Sequence, residues 1–159
     1  MSAMKPGDLM WKTLEPIEEA LDKAGNVATV RKKFKPALLN LLAADRCQAE
    51  VLNGGFEQYF QNPDGELAPE AVKGFRAVGL PDAARLLQKA MRCLGKPFPR
   101  DCDDRGEKMY ELSDKSRKLF EQLFNEFTGI TNWKTNRFEL AADKYVVASG
   151  LYPRQSKEK

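Results

Sequence analysis

The chain has 159 residues, enough for one domain with a sizeable core. It is 42% apolar and 31% charged, which excludes a disordered chain. Lys and Arg number 26 against 23 Asp and Glu, so the net charge of +3 excludes a strong polyanion or polycation. There is no His, which removes the commonest general base and metal ligand.

Leu and Ala total 35 residues, whereas Val, Ile and Thr total 14, and this balance favours helix over strand. The expectation is an all-α, single-domain bundle of about six to seven helices with no significant sheet.

The first helix is expected over Asp8 to Ala24, with Leu14, Ile17 and Leu21 on one face and Pro16 delaying its start. Asn26 to Lys35 reads as a basic connector of one or two turns. Pro36 to Leu52 is a strongly apolar helix, and Gly54 to Gln61 a short one ending at the turn Asn62-Pro63-Asp64-Gly65. Pro69 to Val78 and Pro81 to Leu94 form a pair of helices joined through Gly79-Leu80. A loop follows over 95–104. Arg105 to Thr128 reads as the longest helix, with a core stripe of Leu112, Ser116, Leu119, Leu123 and Phe127. Asn136 to Ser149 is the last helix, with Phe138, Ala141, Tyr145 and Ala148 on one side. The chain divides into an N-terminal helix and connector (1–35), a helical domain (36–150) packing with them as one unit, and a polar tail (151–159), frayed from Arg154 onward. The candidate core is Trp11, Leu14, Ile17, Leu38, Leu42, Val51, Phe56, Phe60, Phe75, Leu86, Leu119, Leu123, Phe127 and Tyr145.

Cys47, Cys93 and Cys102 are odd in number and lack metal-type spacing. Burial of Cys47 and Cys93 as small hydrophobes and a cytoplasmic, reducing compartment are the expectation, with no signal peptide and no membrane span. No catalytic set and no metal site is expected, and no cofactor. Asp101, Asp103 and Gly106 imitate a calcium loop, but Leu112 stands where a carboxylate is required. Asp103 or Asp104 is instead expected to cap a helix.

The unusual segment is EVLNGGFEQYFQN, residues 50–62. Asn53, Gly54 and Gly55 suit a sharp helix–helix corner, with Asn53 left-handed or capping. Phe56, Tyr59 and Phe60 add aromatic mass at helical spacing. Glu50, Gln58 and Asn62 are polar among residues that should be buried. They either satisfy the free backbone groups of the corner or line a small ligand pocket. Arg46 and Glu50 are four apart and can pair. A second constellation is the basic stripe Arg85, Lys89, Arg92 and Lys96, joined by a cluster at Arg31, Lys32, Lys33 and Lys35. A solvated helix face is the preferred reading, with weak nucleic-acid binding as the alternative.

The pattern Glu50, Asn53, Gly54, Gly55, Phe56, Gln58, Tyr59, Phe60 and Asn62 is followed by Val78-Gly79 and Ala83-Ala84. It resembles the bacterial DNA-mimic-protein-19-like family, as do the stretches at Arg105 and at Asp143 to Val146. The likeness runs from about Pro36 to Ser149. It implies an all-helical domain, often dimeric, with no established catalysis. Mimicry of DNA needs a strongly negative face, and +3 with interleaved acids argues against it here. The functional expectation is a non-catalytic, regulatory or accessory module that binds another protein, with a homodimer possible and nucleic acid disfavoured.

Overall fold

The computed structural model describes residues 3–152. Among these residues there are eight α-helices and no strand, so the all-α, single-domain expectation holds. They are α1 (Asp8–Ala24), α2 (Val27–Lys33), α3 (Pro36–Gln61), α4 (Ala68–Ala77), α5 (Pro81–Arg92), α6 (Cys102–Tyr110), α7 (Asp114–Ile130) and α8 (Arg137–Ala148). A 3-10 turn, Pro63–Leu67, links α3 to α4. No described helix is long and apolar enough to cross a membrane.

Helix α3 is the centre. It packs against α1, α4, α6 and α7, and its inward side buries Leu39, Leu42, Ala43, Cys47 and Val51. Its tightest neighbour is α4, where a methyl group on Gly74 would stand 2.1 Å from Asn40 O. Only glycine lets the two backbones approach that closely. Beyond α3 the core continues through a chain of rings. Phe56 meets Phe127 edge-on at 5.6 Å, Phe127 meets Phe75 at 5.7 Å, and Phe75 meets Phe138 at 5.6 Å. Such geometry suits the quadrupoles of the rings. Helix α8 folds back onto α1, where Asp143 accepts hydrogen bonds from Gly7 N (2.7 Å) and Met10 N (2.9 Å).

Several boundaries differ from expectation. Pro16 lies inside α1 on its exposed side and does not delay the start. The connector does carry its short helix as expected: α2 is capped by Asn26, whose side chain accepts from Thr29 N at 2.9 Å. The expected long helix is two: Ser113 accepts from Ser116 N at 3.1 Å and starts α7 afresh, leaving Leu112 in the break. The loop ends early, because Asp101, and neither Asp103 nor Asp104, caps α6 by accepting from Asp103 N. Gly129 falls within α7 instead of ending it.

Most of the candidate core is buried or packed against it, with Leu38, Leu119 and Tyr145 partly exposed. Trp11 is the failure: it is 46% exposed. The inward face of α1 is Met10, Thr13, Leu14 and Ile17, and Trp11 lies to one side of it. Ala148 is exposed too, because the buried face of α8 is Phe138, Glu139, Ala142 and Val146. Cys47 is buried, whereas Cys93 is half-buried. Leu151 and Tyr152 pack against the core. The remainder of the expected tail lies outside the described residues.

Candidate functional site

Within α3 the segment 50–62 is two helical stretches that meet at a kink, as the sequence predicts, and the non-helical backbone falls on Gly54 and Gly55. Gly54 has φ −147° and ψ 16°, and Gly55 has φ 78° and ψ −178°. Gly55 occupies a backbone region that is essentially glycine-only. The bend therefore falls on Gly54 and Gly55, and Asn53 neither turns left-handed nor caps. Past the bend, Phe56, Tyr59 and Phe60 are buried, and Phe60 also packs on Phe120 at 5.9 Å.

The polar residues of the motif bond chiefly to one another. Asn62 Nδ2 donates to both Glu50 oxygens, at 3.1 and 3.2 Å. Asn53 Nδ2 donates to Gln58 Oε1 at 3.4 Å, and Gln58 Nε2 reaches Glu50 O at 3.5 Å. All four of these bonds tie residues before the bend to residues after it, and the two that involve Gln58 are long. The expected Arg46–Glu50 pair does not form. Arg46 instead bridges Asp64 at 3.0 Å and Asp22 at 4.0 Å, across elements remote in sequence. Beside the corner lies a shallow depression of about 420 Å³ bordered by Glu50, Asn53, Gln58 and Trp133. The Tyr59 hydroxyl is buried without a hydrogen-bond partner among the described residues, and burial pushes its pKa up.

Sequence reasoning missed the group that locks this corner. Arg105, on α6, is fully buried. Its guanidinium donates to Phe60 O at 2.8 Å, to Asn62 O at 3.0 Å and to Arg100 O. It thus meets two carbonyls at the end of α3: Phe60 O, and Asn62 O, which also accepts from Gly65 N at 3.1 Å. The stretch at Arg105 carries part of the family resemblance, but no local pattern shows that its side chain is buried, because all three acceptors are backbone. Glu70 is similar. It is buried and accepts from Arg31 at 2.7 Å and from Arg100 at 3.0 Å. Burial pushes its pKa up, but the bonds from Arg100 and Arg31 outweigh this and hold it below the usual range. Arg31 is therefore engaged in the fold and is withdrawn from the expected basic cluster.

On the opposite side of α3 the carboxylates gather. Asp45 is pushed up to about 7, by burial and by the charges of Glu18 and Glu139, with Arg46 and the Trp11 indole N–H opposing. Burial raises Glu18, with Arg46 opposing and Asp22 and Glu15 adding to the rise. Burial also raises Glu50, although Asn62 opposes it. Glu139 is 2% exposed; its Oε1 accepts from Gln48 at 2.9 Å and its Oε2 has no partner among the described residues. Among those residues no group of three or more His, Cys, Asp or Glu is placed to hold a metal ion.

The stripe Arg85, Lys89, Arg92 and Lys96 is exposed along α5 and just beyond it. Only Arg85 has an ion pair among the described residues, with Asp82 at 3.7 Å. A larger feature lies elsewhere. A groove of about 750 Å³ runs between the α4–α5 turn, the end of α7 and α8. Its apolar wall includes Val78, Leu80, Ile130, Leu140 and Ala141. Leu140 is 47% exposed, and Val147, two turns on, is 57% exposed. Arg137 and Lys144 stand on the border, with no acid among the residues that line it.

No curated protein and no solved structure matches the chain. The model of one family, described as DMP19-like protein, matches residues 32–149, which takes in the bent α3, the Arg105 lock and α8. This chain belongs to the DMP19-like protein family.

Proposed function

We propose that this protein is a non-catalytic module that binds another protein, and that the occupant of the α8 groove is an amphipathic helix bearing acidic residues. The observation that carries this reading is the groove itself. It is an open, apolar channel of about 750 Å³ with Leu140 exposed in its wall. Contiguous exposed apolar surface on a folded domain marks interaction sites. The two cations on its border and the absence of lining acids favour an acidic partner. Helix-in-groove recognition uses this combination of an apolar strip and charged flanks.

The bent segment 50–62 supports the same reading from the other side. Its polar groups are engaged with one another, so it serves as scaffold for the bundle. The pocket alternative would need those groups released from one another, since the shallow depression that Glu50, Asn53 and Gln58 border is lined by groups already bonded within the corner. The basic stripe supports nucleic-acid binding less well, since no aromatic side chain interleaves with it for base stacking.

The test compares wild type with Leu140→Glu and with Arg137→Glu/Lys144→Glu in affinity capture, followed by binding of the purified partner. The expected result is a partner that contributes an acidic amphipathic helix, with affinity falling at least about tenfold in both variants. A purified partner that binds both variants as it binds wild type would overturn the reading. A dimer of this chain that Leu140→Glu dissociates in sedimentation would make the occupant a second copy, and would overturn it as well.

A further inference from the structure

A second groove, on the α1 side, has the opposite chemistry. It measures about 530 Å³ and is bordered by Met4, Trp11, Glu15, Glu18 and Tyr152, with Asp8 and Lys12 at its edge. Trp11, Glu15 and Glu18 follow one another at spacings of four and three, so one face of α1 presents an indole and two carboxylates together. Trp11 is 46% exposed, although a ring of this size is normally well buried. Asp45 stands behind Trp11 and Glu18, close enough to each to feel the indole N–H and the carboxylate. Glu139, almost wholly buried on α8, also acts on Asp45 but does not line the groove.

Positive charge is sparse along these carboxylates, and Arg46 acts on both Glu18 and Asp45. Among the described residues Arg46 is the one cation that acts on Asp45, and its guanidinium is already shared between Asp64 and Asp22. Lys12 is exposed at the groove edge, one cation against Asp8, Glu15 and Glu18. We propose that this groove binds a cationic side chain, an arginine or lysine presented by a basic protein segment. A planar guanidinium suits it best, because it stacks on an aromatic face and spreads its donors over separate carboxylates. A metal ion suits it less, since no three acids among the described residues converge on one point. This inference does not rest on the α8 groove, and either can fail alone.

A pH dependence follows. The charged groups facing Asp45 are Glu18 on α1, Glu139 on α8 and Arg46 on α3, and together with burial they bring it to about 7. Raising the pH from about 6 to about 8 ionises Asp45 and strengthens the hold on a cation.

The experiment uses the full chain with Trp133→Phe, which leaves Trp11 as the single indole reporter. The probe is acetyl-Arg-Arg-Arg-amide at low salt, with acetyl-Glu-Glu-Glu-amide as control. The expected result is a saturable change in Trp11 emission with the arginine peptide alone, tighter at the higher pH. Glu18→Gln and Asp45→Asn each weaken it at least about tenfold. Should either variant fail to fold, Glu15→Gln, at an exposed position, carries the same expectation. Leu140→Glu binds the peptide as wild type does. An absent or non-saturable response would overturn the inference. So would undiminished binding in the charge variants, or loss in Leu140→Glu alone, which would move the peptide to the α8 groove.

Discussion

Replacing Arg105 by Met tests whether one buried guanidinium holds the bent end of α3. The side chain is fully buried and donates to Phe60 O, Asn62 O and Arg100 O. Hydrogen bonds from a charged donor contribute about 1.5–3 kcal/mol each, and a buried acceptor left without a donor costs about 1–3 kcal/mol. Removing the guanidinium also removes several kcal/mol of charge desolvation, so the three losses do not simply sum. Methionine restores most of the volume but none of the donors. A net loss of about 3–5 kcal/mol is expected. For a chain of this size that lowers Tm by about 6–20 °C. Thermal unfolding followed by circular dichroism reads it directly. Arg85→Met, on the exposed stripe, is the control and should stay within about 0.5 kcal/mol of wild type. An Arg105→Met protein as stable as that control would refute the argument that these carbonyls depend on Arg105.

Gly55→Ala forces a side chain into a backbone region only glycine enters freely, and should cost about 1–3 kcal/mol in denaturant unfolding. Gly74→Ala should cost a similar amount for a different reason, since its methyl would press on the Asn40 carbonyl and part α3 from α4. Asp45 is ionised with difficulty in the folded chain, so its ionisation weakens folding as pH rises from its unfolded value of 3.8 through about 7. Asp45→Asn should therefore stabilise the protein above about pH 7 and have little effect near pH 4, by urea titration across that range. Glu70 has the opposite sign. Its folded pKa is lowered, so its contribution is present above its unfolded value of 4.5 and is lost as pH falls through the folded value. Glu70→Gln should cost about 1–3 kcal/mol at neutral pH and progressively less in acid, the range reflecting the half-exposed Arg31 and Arg100.

The helical class was legible because it depends on composition, and Leu and Ala dominate it. The bend was legible: Asn53-Gly54-Gly55 announces a corner, and the non-helical backbone angles fall on Gly54 and Gly55, although Asn53 takes no part in the turn itself. The break between α6 and α7 was not legible. Leu112, Ser116 and Leu119 keep helical spacing straight across it, and Ser113 acts as a cap only because the chain turns there. Arg46 shows the limit of local rules. Spacing offers it Glu50, but the fold brings Asp64 within 3.0 Å, and that pair forms instead. Trp11 has the residue type and neighbours of a core position, yet its place on α1 leaves it at the edge of a groove. The α8 groove is assembled from three separate parts of the chain, and no single stretch carries its pattern.

The central claim is that the α8 groove receives an acidic amphipathic helix. Titration calorimetry of the purified partner against wild type and Leu140→Glu, with unfolding curves showing both equally folded, tests it most directly. The account predicts saturable binding to wild type and a loss of at least about tenfold in the variant. Equal affinity for the two proteins would contradict it.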